Sequence, residues 1–267
     1  MAISTRPIAL ITGASSGIGA ELAREAAKDG HDLVLVARRR EPMQALATEL
    51  HAAGTEITVI STDLGKPGGA AELMKLVDER GIVVDTLINN AGLGDTGRFD
   101  REDAEKILLM LQVNIVALTE LTRLVLPKMV ARGRGRIMLV SSTAGFQPGP
   151  GMAVYYATKA YVRYFGRALG YELRRTGVTV TTLCPGATTS EFANVAKMEG
   201  SILFEGPFPV MSAANVARQG YAALKAGRSQ IITGLINNII AFSTRFTPTP
   251  VLLAIAADIN RDRGRSH

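Results

Sequence analysis

Seven short apolar runs recur along the chain, at residues 8–12, 32–36, 57–61, 84–88, 136–140, 178–183 and 230–233. Their length and apolar continuity predict buried strands. Between them the spacing predicts helices over 70–79, 102–130, 153–175 and 213–226. A further helical pattern opens after Gly19, with Leu22, Ala23, Ala26 and Ala27 on one side, and another helix starts near Glu41 and Pro42. Strand and helix alternate with no repeat, linker or long polar break. This predicts an α/β fold: one doubly wound parallel sheet of about seven strands with helices on both faces, as a single domain over 1–267. In such sheets ligands gather at the carboxyl ends of the strands. Gly13 to Gly19, Arg38, Asp63 with Leu64, Asn90 to Gly92, Ser142 and Pro185 to Ser190 all come directly after apolar runs, so one site collects them.

The first run leads straight into Gly13-Ala14-Ser15-Ser16-Gly17-Ile18-Gly19. A strand, a glycine turn and a helix set backbone N–H groups and a helix N-terminus against a phosphate. Glycines suit that turn because a Cβ would block it or the close approach. The spacing differs from the common G-x-G-x-x-G fingerprint, so it matches that motif in mechanism only. The bland alternative is a tight turn that packs a helix on a sheet. About 20 residues on, a fold that prefers NAD places an acid against the ribose 2′-hydroxyl. Here Ala37 is followed by Arg38 and Arg39. An arginine fork suits a 2′-phosphate, which argues for NADP over NAD.

Residues 136–159 carry candidate proton chemistry. The run there ends at Ser141 and Ser142, and a glycine- and proline-broken loop precedes Tyr155-Tyr156-Ala157-Thr158-Lys159. On a helix Tyr155 and Lys159 share a face. A free tyrosine has a pKa near 10, and a neighbouring ammonium lowers it. A drop of about three pH units is worth roughly 4 kcal/mol, much for one exposed lysine. A partly dry site and a second positive charge, such as an oxidised nicotinamide, would supply the rest. Ser142 then holds a substrate oxygen while Tyr155 gives or takes its proton. The competing view is an ordinary helix-surface pair. Asn114, an amide among apolar neighbours, needs partners; it caps a kink or holds water or backbone near the site.

Composition narrows the setting. With 47% apolar and 20% charged residues, the chain is globular rather than disordered. Cys184 stands alone, which excludes an internal disulfide and suits a reducing compartment. Residues 1–7 hold no secretion signal, and no run approaches the ~18 apolar residues of a membrane helix, so a cytoplasmic location is expected. The net charge of +6 gathers in Arg38–Arg40, in the loop 132–136 and in the tail 261–265. Aromatic residues are sparse and the clusters lie far apart, which argues against nucleic acid as a partner. Residues 187–212 mix apolar side chains with glycine and proline. They suit a flap over an apolar substrate, or a folded insertion. Residues 234–267 form an apolar, proline-interrupted extension suited to a partner subunit, with a membrane-surface contact as the weaker option.

Taken in order, Thr12 to Gly19, Asn89-Asn90-Ala91-Gly92, Asn114, Ser142, Tyr155-x-x-x-Lys159 and Pro185-Gly186 resemble the short-chain dehydrogenase/reductase superfamily, in its single-domain branch. The resemblance covers about residues 6 to 233. It implies a Rossmann fold and a catalytic tetrad of Asn114, Ser142, Tyr155 and Lys159. By that resemblance Tyr155 is the acid/base and Ser142 orients the substrate carbonyl. Lys159 binds the nicotinamide ribose and lowers the tyrosine pKa, while Asn114 anchors a water in a proton relay. Ser141 and Tyr156 fall on the wrong register. The implied cofactor contacts are Gly13, Ser15, Ser16, Gly17, Ile18, Gly19, Arg38, Arg39, Asp63, Leu64, Asn90, Ala91, Gly92, Tyr155, Lys159, Pro185, Gly186, Thr188 and Ser190, the last standing where the family usually has a threonine. The expected activity is NADP(H)-dependent hydride transfer between nicotinamide and a carbonyl or secondary alcohol of apolar character. The alternative is a non-catalytic NADP-binding redox sensor or interaction protein. Pairing of the 102–130 and 153–175 helices between subunits is expected, giving a homodimer or homotetramer.

Overall fold

Each of the seven apolar runs forms a strand, within a residue or two of the expected ends. The computed structural model describes residues 6–189, 191 and 210–261. Its strands are β1 (Ile8–Thr12), β2 (Asp32–Ala37), β3 (Ile57–Ser61), β4 (Val84–Asn89), β5 (Gly135–Val140), β6 (Val178–Cys184), β7 (Thr188–Thr189), β8 (Met211–Ser212) and β9 (Gln230–Ile232). The helices are α1 (Gly17–Lys28), α2 (Arg40–His51), α3 (Gly69–Glu79), α4 (Ala104–Leu111), α5 (Leu118–Ala131), α6 (Ala153–Glu172), α7 (Ala213–Lys225), α8 (Leu235–Ser243) and α9 (Thr249–Ile259).

One seven-stranded sheet runs β3-β2-β1-β4-β5-β6-β9, every neighbour parallel. Successive side chains on each strand serve opposite layers, as a period of two requires. Leu10, Val34, Leu87, Ile137 and Leu139 pack with Leu73, Leu121, Val125 and Val162 of α3, α5 and α6. Ala9, Ile11, Leu33, Leu35, Ile88 and Met138 pack instead with Leu22, Met43, Leu46 and Val216 of α1, α2 and α7. Burying one such Leu or Ile is worth about 2 kcal/mol. A surface ion pair such as Arg24–Glu49 contributes about 0–1 kcal/mol, so the two apolar layers hold the fold. Strand order reverses between β1 and β4, which opens a crevice at their carboxyl ends.

Three expectations are corrected. The helix read as continuous over 102–130 is interrupted: a π-helical stretch, Gln112–Ala117, separates α4 from α5. The combined segment Ala104–Ala131, 28 residues, is also long and apolar enough to match a membrane span, contrary to the expectation from unbroken apolar runs. Here α5 lays Leu118, Leu121, Val125 and Met129 against the sheet layer instead. The extension after Gly234 is not wholly given over to a partner. Asn237 and Ala241 of α8, and Leu252 and Ala256 of α9, are buried within the chain itself, while Leu235, Ile239, Phe242 and Phe246 stay exposed. Within residues 187–212, β7 and β8 pair as a short parallel ladder, Thr188 with Met211 and Thr189 with Ser212. Ser190 and the rest of the anticipated flap, 192–209, lie outside the described residues.

Candidate active site

A cleft of about 520 Å³ opens at the carboxyl ends of β1, β2, β4, β5 and β6. All the predicted site residues line it except Gly19, Asn114 and Ser190, of which Ser190 is not described. Gly19 sits behind the wall: a Cβ there would collide with the Gly13 carbonyl oxygen, so its absence lets α1 close onto the loop. Gly13 adopts φ +67°, a left-handed turn that favours glycine.

The glycine loop is fixed from the neighbouring strand end. Asn90 N and Ala91 N both donate to Thr12 Oγ1 at 3.0 Å. The Asn90 amide donates to Thr12 O at 3.0 Å and Gly13 O at 3.2 Å. Asn90 is therefore a brace for the loop, and Thr12, at the head of the glycine motif, is its anchor. Above the loop, α1 begins at Ser16 with no side-chain cap bond and no acid in its first turn. Its orphan N–H groups face the cleft and suit an anion. Arg38 and Arg39, both exposed, stand at the end of β2. The Arg39 guanidinium lies 3.4 Å from the hydroxyls of Ser15 and Ser16 and pairs with Glu191 at 2.5 Å. Glycine backbone, free amides and two cations make a donor set that fits a dinucleotide phosphate.

Across the cleft, α6 presents Tyr155 and Lys159, both buried. Burial raises the Tyr155 phenol well above its ordinary pKa, and a hydrogen bond with Ser142 pulls weakly the other way. Burial also pushes the Lys159 ammonium down, to about 8. The Lys159 amine donates to Val140 O at 3.0 Å and lies 5.7 Å from the Tyr155 ring centroid. In the protein alone, burial is the largest influence on both groups. Desolvation disfavours both charged forms. Ser142 caps a short 3-10 turn, Thr143–Phe146, accepting from Ala144 N at 3.1 Å.

A model described as short chain dehydrogenase matches residues 7–199. The chain belongs to the short-chain dehydrogenase family. An NADP-dependent 3-hydroxy acid dehydrogenase from Salmonella typhi is 38% identical over 193 residues, covering 70% of this chain and 75% of that protein. Among solved structures, a short-chain dehydrogenase from Sphingobium yanoikuyae in complex with NADPH is 32% identical, covers 98% of each chain and superposes with a TM-score of 0.79. A bulky-bulky ketone specific alcohol dehydrogenase from Comamonas testosteroni is 29% identical, covering 99% of this chain and 98% of its own, with a TM-score of 0.76. This short-chain dehydrogenase is an oxidoreductase of the CH–OH group that uses NAD(P) and a small-molecule substrate.

The remaining tetrad member sits one layer back. Asn114 is buried in the π-helical stretch, and its side chain is committed to protein: Nδ2 donates to Leu93 O at 2.9 Å and Thr158 Oγ1 at 3.0 Å, and Oδ1 accepts from Leu93 N at 2.8 Å. Both amide hydrogens are used. The side chain therefore clamps the Leu93 backbone and Thr158 beside the cleft. Gly92 leaves the space these groups need, since a Cβ would stand 3.2 Å from Lys159 Nζ and 3.4 Å from Asn114 Oδ1. Ser141, out of register for the catalytic serine, donates to Lys159 O at 2.6 Å and ties α6 to the end of β5. Two serines at a strand end were the available signal: one faces the cleft and its neighbour faces the helix behind. The walls beyond Tyr155 are apolar: Leu93, Val113 and Met152, with Ile240, Ala241 and Ile259 supplied by α8 and by the end of α9.

Proposed function

We propose that this enzyme reduces apolar ketones with NADPH, and that Tyr155 delivers the proton. The observation that carries the reading is the buried phenol, bonded to Ser142, between an arginine-rich half-cleft and an apolar one. A phenol whose pKa is raised stays protonated near neutral pH, the form an acid catalyst of reduction needs. NADPH held by the glycine loop and by Arg38 and Arg39 would supply the hydride. Ser142 holds the carbonyl oxygen by a hydrogen bond. Tyr155 passes its proton to that oxygen as charge develops there. Lys159, anchored by Val140 O and backed by Ser141, places a cation behind the ring. NADP is preferred over NAD because Arg38 and Arg39 offer a fork to a 2′-phosphate where an acid would serve NAD. The NADP dependence of the Salmonella relative and the NADPH complex of the Sphingobium one support this choice. The exposed apolar faces of α4, α5 and α6 support pairing with a second copy of the chain.

Tyr155→Phe removes the proton donor and keeps the ring. Ketone reduction should fall by about 10²-fold or more, while NADPH binding, followed by its fluorescence, should survive. A variant that turns over near the wild-type rate rules out the assignment. Tight NADPH binding by the wild type with no turnover over a broad ketone panel would favour a cofactor-sensing protein instead.

A further inference from the structure

Asn260, directly after α9, is buried, yet it does not line the cleft. Its Oδ1 accepts from the Tyr156 hydroxyl at 3.3 Å, and its Nδ2 donates to Pro150 O at 2.9 Å. The backbone it reaches is built to receive it. Gly151 has φ +80°, and a Cβ on it would press within 3.3 Å of Asn260 Cβ. Gly149 leaves room for the Tyr156 ring, against which any side chain would collide. Gly151 O in turn accepts from Gly97 N at 2.8 Å, joining the loop that comes after β4. Four segments meet here: the C-terminal helix, the loop entering α6, the first turn of α6 and the 93–97 loop. The neighbour of Asn260, Ile259, faces the cleft, as Tyr156 does on the other side.

We propose that Asn260 is a positioning residue, a latch that holds α9 against the loop before Tyr155 and so fixes the distal wall of the ketone chamber. The inference rests on the reductase reading for its kinetic consequence, though not for its geometry. A buried amide with two good partners is costly to orphan, so each partner loses if the side chain is cut. Substrate that spans the chamber presses on Ile259 and feels the wall move. Cofactor, bound along the glycine loop, does not touch it.

The test uses the full chain with Asn260→Ala and Asn260→Asp. The aspartate keeps an acceptor for Tyr156 but turns an acceptor toward Pro150 O, so it too should open the latch. Acetophenone and benzophenone serve as compact and bulky probes. For benzophenone KM should rise about tenfold, the worth of one buried hydrogen bond, with kcat and the NADPH Kd within about twofold. Acetophenone should change less. Amide hydrogen exchange should quicken over 249–259 and 150–152 and stay unchanged in the sheet. Unchanged KM and exchange in a folded variant overturns the latch, as does a loss confined to kcat. If the wild type binds NADPH but reduces neither ketone, the reductase reading fails separately. Exchange alone then decides the latch: faster over those two segments supports it, unchanged overturns it.

Discussion

Tyr155 and Lys159 share one dry environment, and it moves them in opposite directions on the pH scale. The phenol is held above its ordinary value and the ammonium is brought down to about 8. Reduction needs the phenol protonated, which holds through neutral and mildly alkaline pH. Oxidation needs it ionised, which the raised value postpones. The rate of ketone reduction should therefore be level through neutrality and decline above about pH 8, as Lys159 loses its charge. Oxidation of the matching alcohol should keep climbing with pH. Stability depends on the same groups. Between about 8 and the ordinary lysine value of 10.5 the unfolded chain binds more protons at Lys159 than the folded one, so this group adds stability as pH rises through that window. Above the ordinary tyrosine value the folded state holds the extra proton, and Tyr155 subtracts stability as pH rises. Rate profiles in both directions check the first point. An oxidation rate already level at pH 7 would mean that the phenol is acidic after all.

At the scale of elements, the proposed choice of NADP rests on the two strand–helix junctions beside the glycine loop. The N-terminus of α1 offers amides, and the turn into α2 offers Arg38 and Arg39. Glu191, just past β7, already shares the Arg39 guanidinium. A 2′-phosphate competes with that carboxylate for the same fork. Arg39→Ala should raise KM for NADPH about tenfold and leave NADH nearly untouched, whereas Glu191→Gln should lower KM for NADPH. Equal changes with both cofactors would remove the arginines from the choice. These junctions were legible in the sequence because parallel strands buried on both faces read as unbroken apolar runs, and the residues just past the end of each run lie at the ligand end of the sheet. The π-helical stretch was not legible. One extra residue in a turn leaves the apolar spacing of 102–130 almost intact, and only the odd amide of Asn114 marked it. Ser141 and Asn260 were missed for a different reason. Their roles come from contacts 18 and 104 residues away in sequence, to Lys159 and Tyr156, and neither spacing nor composition records such a contact.

For the whole molecule, two exposed apolar faces among the described residues compete for a partner. One is built from α4, the π-helical stretch, α5 and α6, and exposes Leu108 at 65%, Tyr164 at 64%, Val116 and Leu124. It is stiffened by the Thr119–Tyr161 hydroxyl contact at 2.9 Å and the stacking of Tyr161 on Phe165. The other lies on α8 and its exit, with Leu235 at 78% and Phe246 at 74%. Side chains of this size left in water cost about 1.5–3 kcal/mol each relative to burial, so several on one face favour a partner. The α4–α6 face is the better surface for a two-fold pair, because neighbouring helices can meet their own copies across the axis and leave the cleft mouth clear. The enzyme should run as a dimer or larger in light scattering at micromolar concentration. Leu108→Glu with Tyr164→Glu should shift it to lower mass while NADPH binding persists, since neither residue lines the cleft. If that variant keeps its mass and Phe246→Glu loses it, the pairing face is α8. A wild type that is monomeric throughout would leave both faces to some other partner.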